Sequence, residues 1–277
     1  MADLFPVIPG AEPWSSRGRG KRARVGVLVV HGFTGCPVSM RPLAEALAER
    51  GFAVEVPRLP GHGTHVLDLL NARYADWRVE VERKLTRLKS RTQACILVGL
   101  SMGGTLVLDV ASQRQRDVAG VVAINALILN RKDILSRLAP LIAKVLPLAP
   151  AQMAGLAKND TAKPDTDEKA YPWVVPAAGH SLLQELPRIR SQLATLRTPA
   201  LIAYAPQDHS VDPENSRTIL RIVPSNDLKE LRLDRSYHVA TLDYDFDLLV
   251  NEISEFADRV TANKLTPALE SLDPGPA

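Results

Sequence analysis

The chain has 277 residues, of which 45% are hydrophobic and 23% are charged, and its formal net charge is only +3. A chain of this length and composition can bury one sizeable core with a small appendage, and so small a charge offers no case for a nucleic-acid partner. The sequence has no uninterrupted run of about 18 apolar residues, which excludes an ordinary transmembrane helix.

Cysteine usage and the N-terminal sequence indicate a compartment. The two cysteines, Cys36 and Cys95, are too few for a disulfide framework, so we expect reduced thiols. The N-terminal sequence MADLFPVIPG lacks the charged region and the apolar region of a secretory signal. We therefore expect a cytoplasmic protein.

The first half of the chain predicts alternating strands and helices. Residues Val25–Val30 form a continuous apolar run, which is typical of a strand buried on both faces. The run ends in a glycine-rich loop, residues 31–35, of the kind that lies at the ligand-binding edge of an α/β sheet. The elements predicted next are a helix over 39–50, a strand over 52–56, a turn-rich loop over 57–65 and a helix over 74–88. His62 in that loop could face a site, although a contact with the backbone is the simpler interpretation.

A short stretch in the middle of the chain predicts a nucleophilic serine. An apolar strand over 94–98 leads into Gly99-Leu100-Ser101-Met102-Gly103, and an apolar helix follows. This G-x-S-x-G spacing forms a strained turn, in which two glycines let the helix approach the strand and the serine hydroxyl is lifted out of the backbone. The alternative is an ordinary strand-turn-helix corner with a capping serine.

The alternation stops after a predicted buried strand over 118–126. Residues 127–180 contain an apolar stretch interrupted by Pro140, Pro147 and Pro150, and then a polar stretch. Prolines at these intervals predict short helices or turns, so we interpret 127–180 as a cap inserted over the carboxyl edge of the sheet. Its apolar residues could form the core of a small helical subdomain, an apolar acyl pocket, or both on opposite faces.

The second half of the chain resumes the alternation. The predicted elements are a helix over 181–196, a strand over 200–204, a helix opened by Asp212 and Pro213, a strand over 228–233 and a final helix to about residue 263. The predicted α/β core thus comprises residues 1–126 and 181–263. Residues 264–277 form a predicted flexible tail.

Two polar residues follow late strands and complete the chemistry that a serine needs. Asp208 lies four residues after Tyr204, and His238 lies five residues after Leu233. Acyl transfer by serine requires a base for the hydroxyl proton and a carboxylate that orients this base. The chain order Ser101, Asp208, His238 is the one expected for an α/β-hydrolase.

Other residues compete for these roles or support them. Asp212 is the rival acid, although a position as helix N-cap already accounts for it. Of the six histidines, none other than His238 follows a late strand in this way. The backbone amides of Phe33 and Met102 are the expected donors of an oxyanion hole.

Motifs spread over the whole predicted core point to a family. They are GAEPW (10–14), GVLVVHGFTG (26–35), SMRPLAEALA (39–48), PRLPGHGTH (57–65), GLSMGGTL (99–106) and SYHVATLDYD (236–245). These strings resemble the bacterial monoacylglycerol lipases and carboxylesterases of the α/β-hydrolase superfamily. The resemblance implies an α/β-hydrolase fold, that is, a mostly parallel doubly wound sheet with a small cap, and it implies no cofactor and no metal. It also implies Ser101, Asp208 and His238 as catalytic residues.

The same resemblance suggests residues that would contact the substrate. In this family a cap glutamate within a pattern like E-L-A-Y contacts the glycerol headgroup, and Glu168-Lys169-Ala170-Tyr171 matches this pattern with Lys for Leu. Glu168 is therefore the expected headgroup residue, and Asn125 looks like a second polar wall. The cap departs from the family in its proline-rich segment, 138–150, and at Tyr171-Pro172-Trp173.

These observations give one leading hypothesis and its alternatives. We expect a cofactor-independent serine hydrolase that cleaves monoacylglycerols to glycerol and fatty acid, with a small lipid ester as its partner. The alternatives are a broad short-chain carboxylesterase and a non-catalytic ligand receptor on the same fold. We also expect that the cap contacts lipid surfaces transiently through apolar residues at helical spacing, namely Ile134, Leu138, Leu141, Ile142 and Val145.

Overall fold

A central β-sheet with helices on both faces is seen in a computed structural model, which describes residues 4–130, 141–142, 144–155 and 159–265. In chain order the strands are β1 (Trp14–Ser16), β2 (Val25–Val30), β3 (Ala53–Val56), β4 (Ala94–Leu100), β5 (Gly120–Ile124), β6 (Ala149–Pro150), β7 (Trp173–Val174), β8 (Ala200–Tyr204) and β9 (Leu228–Arg232). The α-helices of the described residues are α1 (Arg41–Glu49), α2 (Tyr74–Lys89), α3 (Met102–Gln113), α4 (Pro176–Leu193), α5 (Glu214–Ile222) and α6 (Phe246–Thr261).

The main sheet has the strand order β1-β3-β2-β4-β5-β8-β9. Only its edge strand β1 runs antiparallel to its neighbour, and the pairs from β3 to β9 are parallel. Because parallel strands end at the same edge, the loops that follow β2, β4, β5, β8 and β9 lie side by side. This edge collects the loops that contain the predicted catalytic residues.

Two apolar layers explain why the central strands are continuous hydrophobic runs. Along β2, Leu28 and Val30 pack with one layer, whereas Val27 and Val29 pack with the other, as alternating side chains of a strand must. Helices α2, α3 and α4 cover the first face, and α1 and α6 cover the second face. A strand with helices on both sides has no polar face to present, so its sequence shows no alternation.

Most predicted elements are confirmed, and the differences have local causes. Strands β2 and β8 have the predicted bounds, but α4 begins at Pro176 instead of residue 181. A proline favours the first turn of a helix, because its missing N–H would have no partner there. Strand β1 was not predicted, because a three-residue edge strand carries no apolar run.

Described residues between β5 and α4 contact loops at the carboxyl edge of the sheet. Strands β6 and β7 pair antiparallel there, and a polar stretch, 159–171, contacts the loops of the main sheet. Tyr171 N–H donates to Thr34 O at 3.0 Å, and Val239 N–H donates to Asp160 O at 2.9 Å. The assignment of 127–180 as a cap on a core of 1–126 and 181–263 stays a prediction.

Parts of two predictions fall outside the described residues. These are Ile134 and Leu138 of the apolar stretch, and residues 266–277 of the tail. Within the part of the chain that the structure covers, no helix combines the length and the apolar character needed to cross a bilayer.

Candidate active site

Ser101 occupies the sharp turn between β4 and α3. Its φ of 56° and ψ of −121° lie outside the regions that a serine adopts freely. A Cβ atom on Gly99 would lie 2.2 Å from Gly103 O, and one on Gly103 would lie 2.2 Å from Val30 O, so both positions require glycine. The Ser101 side chain makes no capping hydrogen bond to the first turn of α3. The alternative of an ordinary capping serine therefore has no support in this geometry.

The turn is held by hydrogen bonds to the neighbouring strand and to the helix. Ser101 N–H donates to Ile124 O on β5 at 2.8 Å, and Ser101 O accepts from Thr105 N–H at 3.0 Å. Because both backbone groups of Ser101 are bound within the fold, the strained conformation is fixed before any ligand arrives.

His238 and Asp208 form a buried pair at the same edge. Nδ1 of His238 lies 2.7 Å from Oδ2 of Asp208, whose side chain is 1% exposed. The other carboxylate oxygen, Oδ1, accepts the N–H groups of Ser210 and Val211 at 2.8 Å each. Since an ionised carboxylate only accepts, Nδ1 of His238 carries the proton, and its Nε2 has a free lone pair for a hydroxyl proton.

The charges around His238 favour its protonated form. Burial lowers the pKa of this imidazole, but the Asp208 carboxylate, which bonds to it, and the nearby carboxylates of Glu168 and Asp160 outweigh burial and raise the pKa above its ordinary value. An imidazole with a raised pKa is a stronger base, and its cation is better stabilised once it has accepted a proton.

Asp212, the rival acid, and His31, in the loop after β2, have structural contacts instead. Asp212 Oδ1 accepts the N–H of Glu214, the first residue of α5, at 2.8 Å, although the N-cap of this helix is Pro213 and not Asp212 as predicted. His31 is buried, donates from Nδ1 to Gly32 O at 2.9 Å and accepts Leu59 N–H at Nε2. Burial lowers the pKa of His31 to about 4, so its imidazole stays neutral. Its hydrogen bond with Leu59 N–H connects the loop after β2 to the loop after β3.

His62 confirms the simpler interpretation of a histidine bound to backbone. Its Nδ1 lies 3.1 Å from Pro60 O, and its ring is buried against the rings of Phe33 and Trp77 at centroid distances of 6.0 and 5.4 Å. Burial lowers the pKa of His62 well below its ordinary value. The residue therefore belongs to the packing beneath the loop after β2.

Phe33 and Met102, the predicted oxyanion donors, flank Ser101. Met102 is the first residue of α3, so its amide belongs to the unpaired N–H groups of a helix start. The loop that carries Phe33 passes beside the serine, because a Cβ atom on Gly32 would lie 3.2 Å from Ser101 Cβ. The Phe33 ring packs against Trp77 and Gly179, which fixes this loop from below.

Glu168 lies beside the candidate catalytic pair. Its Oε1 accepts Asn159 N–H at 3.2 Å, and its backbone N–H donates to Asn159 Oδ1 at 3.1 Å. Its Oε2 lies 3.8 Å from where a Cβ atom on Gly35 would stand. Burial raises the pKa of Glu168, and the facing His238 partly offsets this effect. The structure thus brings Glu168 to the site, as the resemblance implies.

Asn125 has a different environment from the polar wall that the resemblance suggested. Its side chain donates to the carbonyls of Tyr237 and His238 at 3.3 and 2.8 Å and accepts Ala205 N–H at 2.8 Å. The residue is 2% exposed and has a φ of 46°. Its amide holds the ends of β5 and β8 to the loop that carries His238, and both polar atoms are engaged within the protein.

Residues that the sequence analysis missed hold the site together. Asp160 and Asp243 are buried carboxylates that accept hydrogen bonds from loops on both sides of the candidate pair. Asp160 stands in a polar stretch whose composition resembles that of any solvated loop, so no sequence signal distinguishes it from a surface residue. Asp243 lies in the SYHVATLDYD string (236–245), which points to the family but indicates no role for this carboxylate.

A family model for Hydrolase_4, described as serine aminopeptidase, S33, matches residues 21–245 of the chain. The chain belongs to the Hydrolase_4 family. It is 39% identical over 265 residues to the thermostable monoacylglycerol lipase of Bacillus sp. (strain H-257), covering 92% of this chain and 98% of that protein. It is 26% identical to a carboxylesterase of Bacillus subtilis (strain 168), covering 90% of this chain and 97% of that protein.

A solved structure of one of LipS and LipT, two metagenome-derived lipolytic enzymes, resembles the whole fold. It superposes with a TM-score of 0.85 at 34% sequence identity and covers 92% of this chain and 100% of that chain. The predictions of an α/β-hydrolase fold and of a carboxylic ester hydrolase are thereby confirmed.

Proposed function

We propose that this protein hydrolyses the ester bond of monoacylglycerols to give glycerol and a fatty acid, through an acyl-enzyme on Ser101. The observation that carries the proposal is the 2.7 Å contact between His238 and Asp208 at the sheet edge where Ser101 is held in its strained turn. The similarity to a monoacylglycerol lipase over 92% of the chain supports the substrate class.

The steps follow from the protonation of the pair. His238 Nε2 accepts the Ser101 proton as the hydroxyl attacks the ester carbonyl, and Asp208 stabilises the imidazolium that forms. The amides of Phe33 and Met102 donate to the oxyanion of the tetrahedral intermediate, where one donor is typically worth about a hundredfold or more in rate. His238 then gives the proton to the departing glycerol oxygen, and a water molecule activated by His238 releases the fatty acid. No step requires a cofactor or a metal.

Glu168 is the residue that we assign to the glycerol headgroup. One of its carboxylate oxygens accepts Asn159 N–H, and its charge acts on His238, which supports its assignment to a hydroxyl of the leaving glycerol. A carboxylate accepts hydrogen bonds from hydroxyls, and a buried acceptor selects strongly against an alcohol that cannot donate to it.

A substrate panel tests this proposal. We expect a kcat/KM for monolaurin at least about tenfold above those for dilaurin and for a short-chain nitrophenyl ester, because only monolaurin offers two glycerol hydroxyls. Ser101→Ala should lower every rate on the order of 10⁴-fold or more, whereas Ser90→Ala, at the exposed end of α2, should match the wild type. Faster turnover of the short ester would favour the carboxylesterase alternative, which the similarity to a carboxylesterase supports.

We further propose that the cap makes transient contact with lipid surfaces. Apolar side chains of the described cap residues are exposed to solvent, among them Leu141, Val145, Leu146, Met153 and Trp173. An exposed apolar patch beside an acyl-ester site would let a lipid substrate leave its aggregate directly into the protein. Cosedimentation with phosphatidylcholine liposomes measures this contact.

A cytoplasmic location stays a prediction. The two cysteines, Cys36 and Cys95, are free and buried, and burial raises the pKa of both thiols. Unpaired, unreactive thiols are compatible with a reducing compartment.

A further inference from the structure

Asp160 connects the polar stretch of the cap to the turn that follows Asp208. Its Oδ1 lies 2.8 Å from His209 Nδ1, and its Oδ2 accepts His209 N–H at 3.1 Å and the Ser210 hydroxyl at 3.2 Å. The Asp160 side chain is 4% exposed, whereas that of its partner His209 is 59% exposed, so the carboxylate is buried beneath the imidazole. Such charge-assisted bonds are stronger than neutral ones.

Ser210 joins the two carboxylates of this region. Its hydroxyl donates to Asp160, and its backbone N–H donates to Asp208 Oδ1 at 2.8 Å. Ser210, which helps to orient the Asp208 carboxylate, is therefore itself hydrogen-bonded to Asp160. Loss of the Asp160 carboxylate would release the turn that fixes the direction of the Asp208 carboxylate.

The same cap residue also holds the loop that carries His238. Asp160 O accepts the N–H of Val239, the residue after His238, at 2.9 Å. His209, bound to Asp160, packs edge-on against the ring of Tyr237, the residue before His238, with centroids 4.6 Å apart. Asp160 thus contacts Val239 directly and Tyr237 through His209, and these two residues flank His238 in the chain.

A second buried carboxylate, that of Asp243, binds the cap segment that contains Asp160 to the loop that carries His238. Asp243 Oδ2 accepts the N–H groups of Ala162 and Tyr237 at 2.7 and 2.9 Å, and its Oδ1 accepts Lys163 N–H at 2.9 Å. The segment that contains Asp160 is therefore bound to the His238 loop at two points. It cannot shift without moving that loop.

We propose that Asp160 is a positioning residue, which aligns Asp208 and His238 with Ser101 from the cap. This inference rests on the proposed roles of those three residues and is independent of which ester they cleave. The cap thereby has a part in the chemistry in addition to enclosing the substrate.

An electrostatic consequence separates this role from plain structural support. Three carboxylates act electrostatically on His238, namely Asp208 from the loop after β8, and Glu168 and Asp160 from the cap, while Asp243 on the His238 loop is bound to backbone amides. Each facing carboxylate stabilises the imidazolium and raises the pKa of His238. Removal of the Asp160 charge should lower that pKa, which moves the acid limb of the rate profile to lower pH, because the base must be neutral to react.

Two variants separate the effect of the hydrogen bonds of Asp160 from the effect of its charge. In Asp160→Asn, the amide oxygen can accept from His209 N–H and Ser210 Oγ, and the amide nitrogen can donate to neutral His209 Nδ1, so the contacts persist without the charge. Asp160→Ala removes both. The matched control is Asp68→Asn, since Asp68 is equally buried and accepts Leu4 N–H and Thr64 Oγ1 at 2.8 and 2.6 Å but does not face His238.

The test is the second-order rate of inactivation by a fluorophosphonate from pH 5 to 9, together with kcat and KM on monolaurin. We expect Asp160→Asn to lower the midpoint of the acid limb by a few tenths of a pH unit. Asp160→Ala should slow inactivation and kcat on the order of ten- to a hundredfold with KM little changed, because small misalignments of reacting groups are costly. Asp68→Asn should keep the wild-type midpoint of the acid limb and the wild-type rates of inactivation and turnover.

Wild-type midpoints and rates in both Asp160 variants would overturn the proposal. If Asp160→Ala does not fold, Asp160→Asn decides alone, and an unmoved limb then refutes the assignment. Rapid inactivation of the wild type without turnover of monolaurin would refute the proposed substrate and leave the positioning role standing.

Discussion

Ser101 keeps a backbone conformation that costs on the order of 1–3 kcal/mol. The surrounding fold offsets this cost, because α3 is buried over nearly its whole length and the serine amide binds Ile124 O. Glycine at 99 and 103 is required for close approach rather than for a positive φ, since neither has one. The strained turn therefore reflects selection for where the hydroxyl points.

The protonation of His238 gives a prediction at the level of a single residue. Since the facing carboxylates raise its pKa, we expect the acid limb of kcat/KM to have its midpoint above 6.5, the ordinary value for histidine. Activity needs the neutral imidazole, so the rate falls as the pH drops through this raised pKa. The pH profile of monolaurin hydrolysis by the wild type measures it, and a midpoint at or below 6 would contradict the assignment.

The role of a single residue could be predicted from the sequence where its position after a strand is enough to decide which residues lie near it. Ser101, Asp208 and His238 follow strands, and parallel strands end at one edge, so their proximity follows from the strand assignment. Asn125 also follows a strand, but its contacts depend on how the loops after β8 and β9 fold over it. Asp160 lies in a polar stretch without periodicity, so nothing in the sequence places it against Ser210.

Elements were predictable in proportion to the strength of their apolar pattern. Buried strands such as β2 and β8 show runs that end where the strand ends. Helix α4 was predicted too short because Pro176 and Gly179 resemble a turn, whereas the proline stands in the first turn of the helix and the glycine packs against Phe33. Pattern alone does not distinguish a helix start from a loop at such residues.

The proposed cap, the segment between β5 and α4, gives a prediction at the level of an element. Val145 is 71% exposed, and Trp173 on β7 is 45% exposed, so neither contributes much to the folded core. We expect Val145→Asp together with Trp173→Ser to reduce cosedimentation with phosphatidylcholine liposomes by about threefold or more, since burial of apolar surface in the interface is lost. Turnover of a micelle-free short ester should change less than twofold.

A matched control lies outside the cap. Val79 on α2 is 59% exposed, so Val79→Asp introduces a similar charge at a similarly exposed apolar position. Binding of this control should equal that of the wild type. If the cap variant binds liposomes as well as the control does, the cap is not the lipid-contacting surface.

The whole molecule joins loops from one sheet edge with a polar segment, 159–171, that lies between β5 and α4 in the chain. Loops after β2, β4, β8 and β9 contain Phe33, Ser101, Asp208 and His238, and the segment between β5 and α4 contains Glu168 and Asp160. Hydrogen bonds cross between these parts in both directions. Their mutual alignment is thus a property of the complete fold rather than of any single motif.

The central claim is that the Ser101 hydroxyl is the nucleophile activated by His238. The most direct measurement is covalent labelling of the whole protein by a fluorophosphonate, followed by mass spectrometry of its peptides. We predict a single adduct on the peptide that contains Ser101, no adduct in Ser101→Ala, and labelling slowed about a thousandfold or more in His238→Ala. An unlabelled wild type, an adduct on another residue, or full labelling of Ser101→Ala would contradict the account.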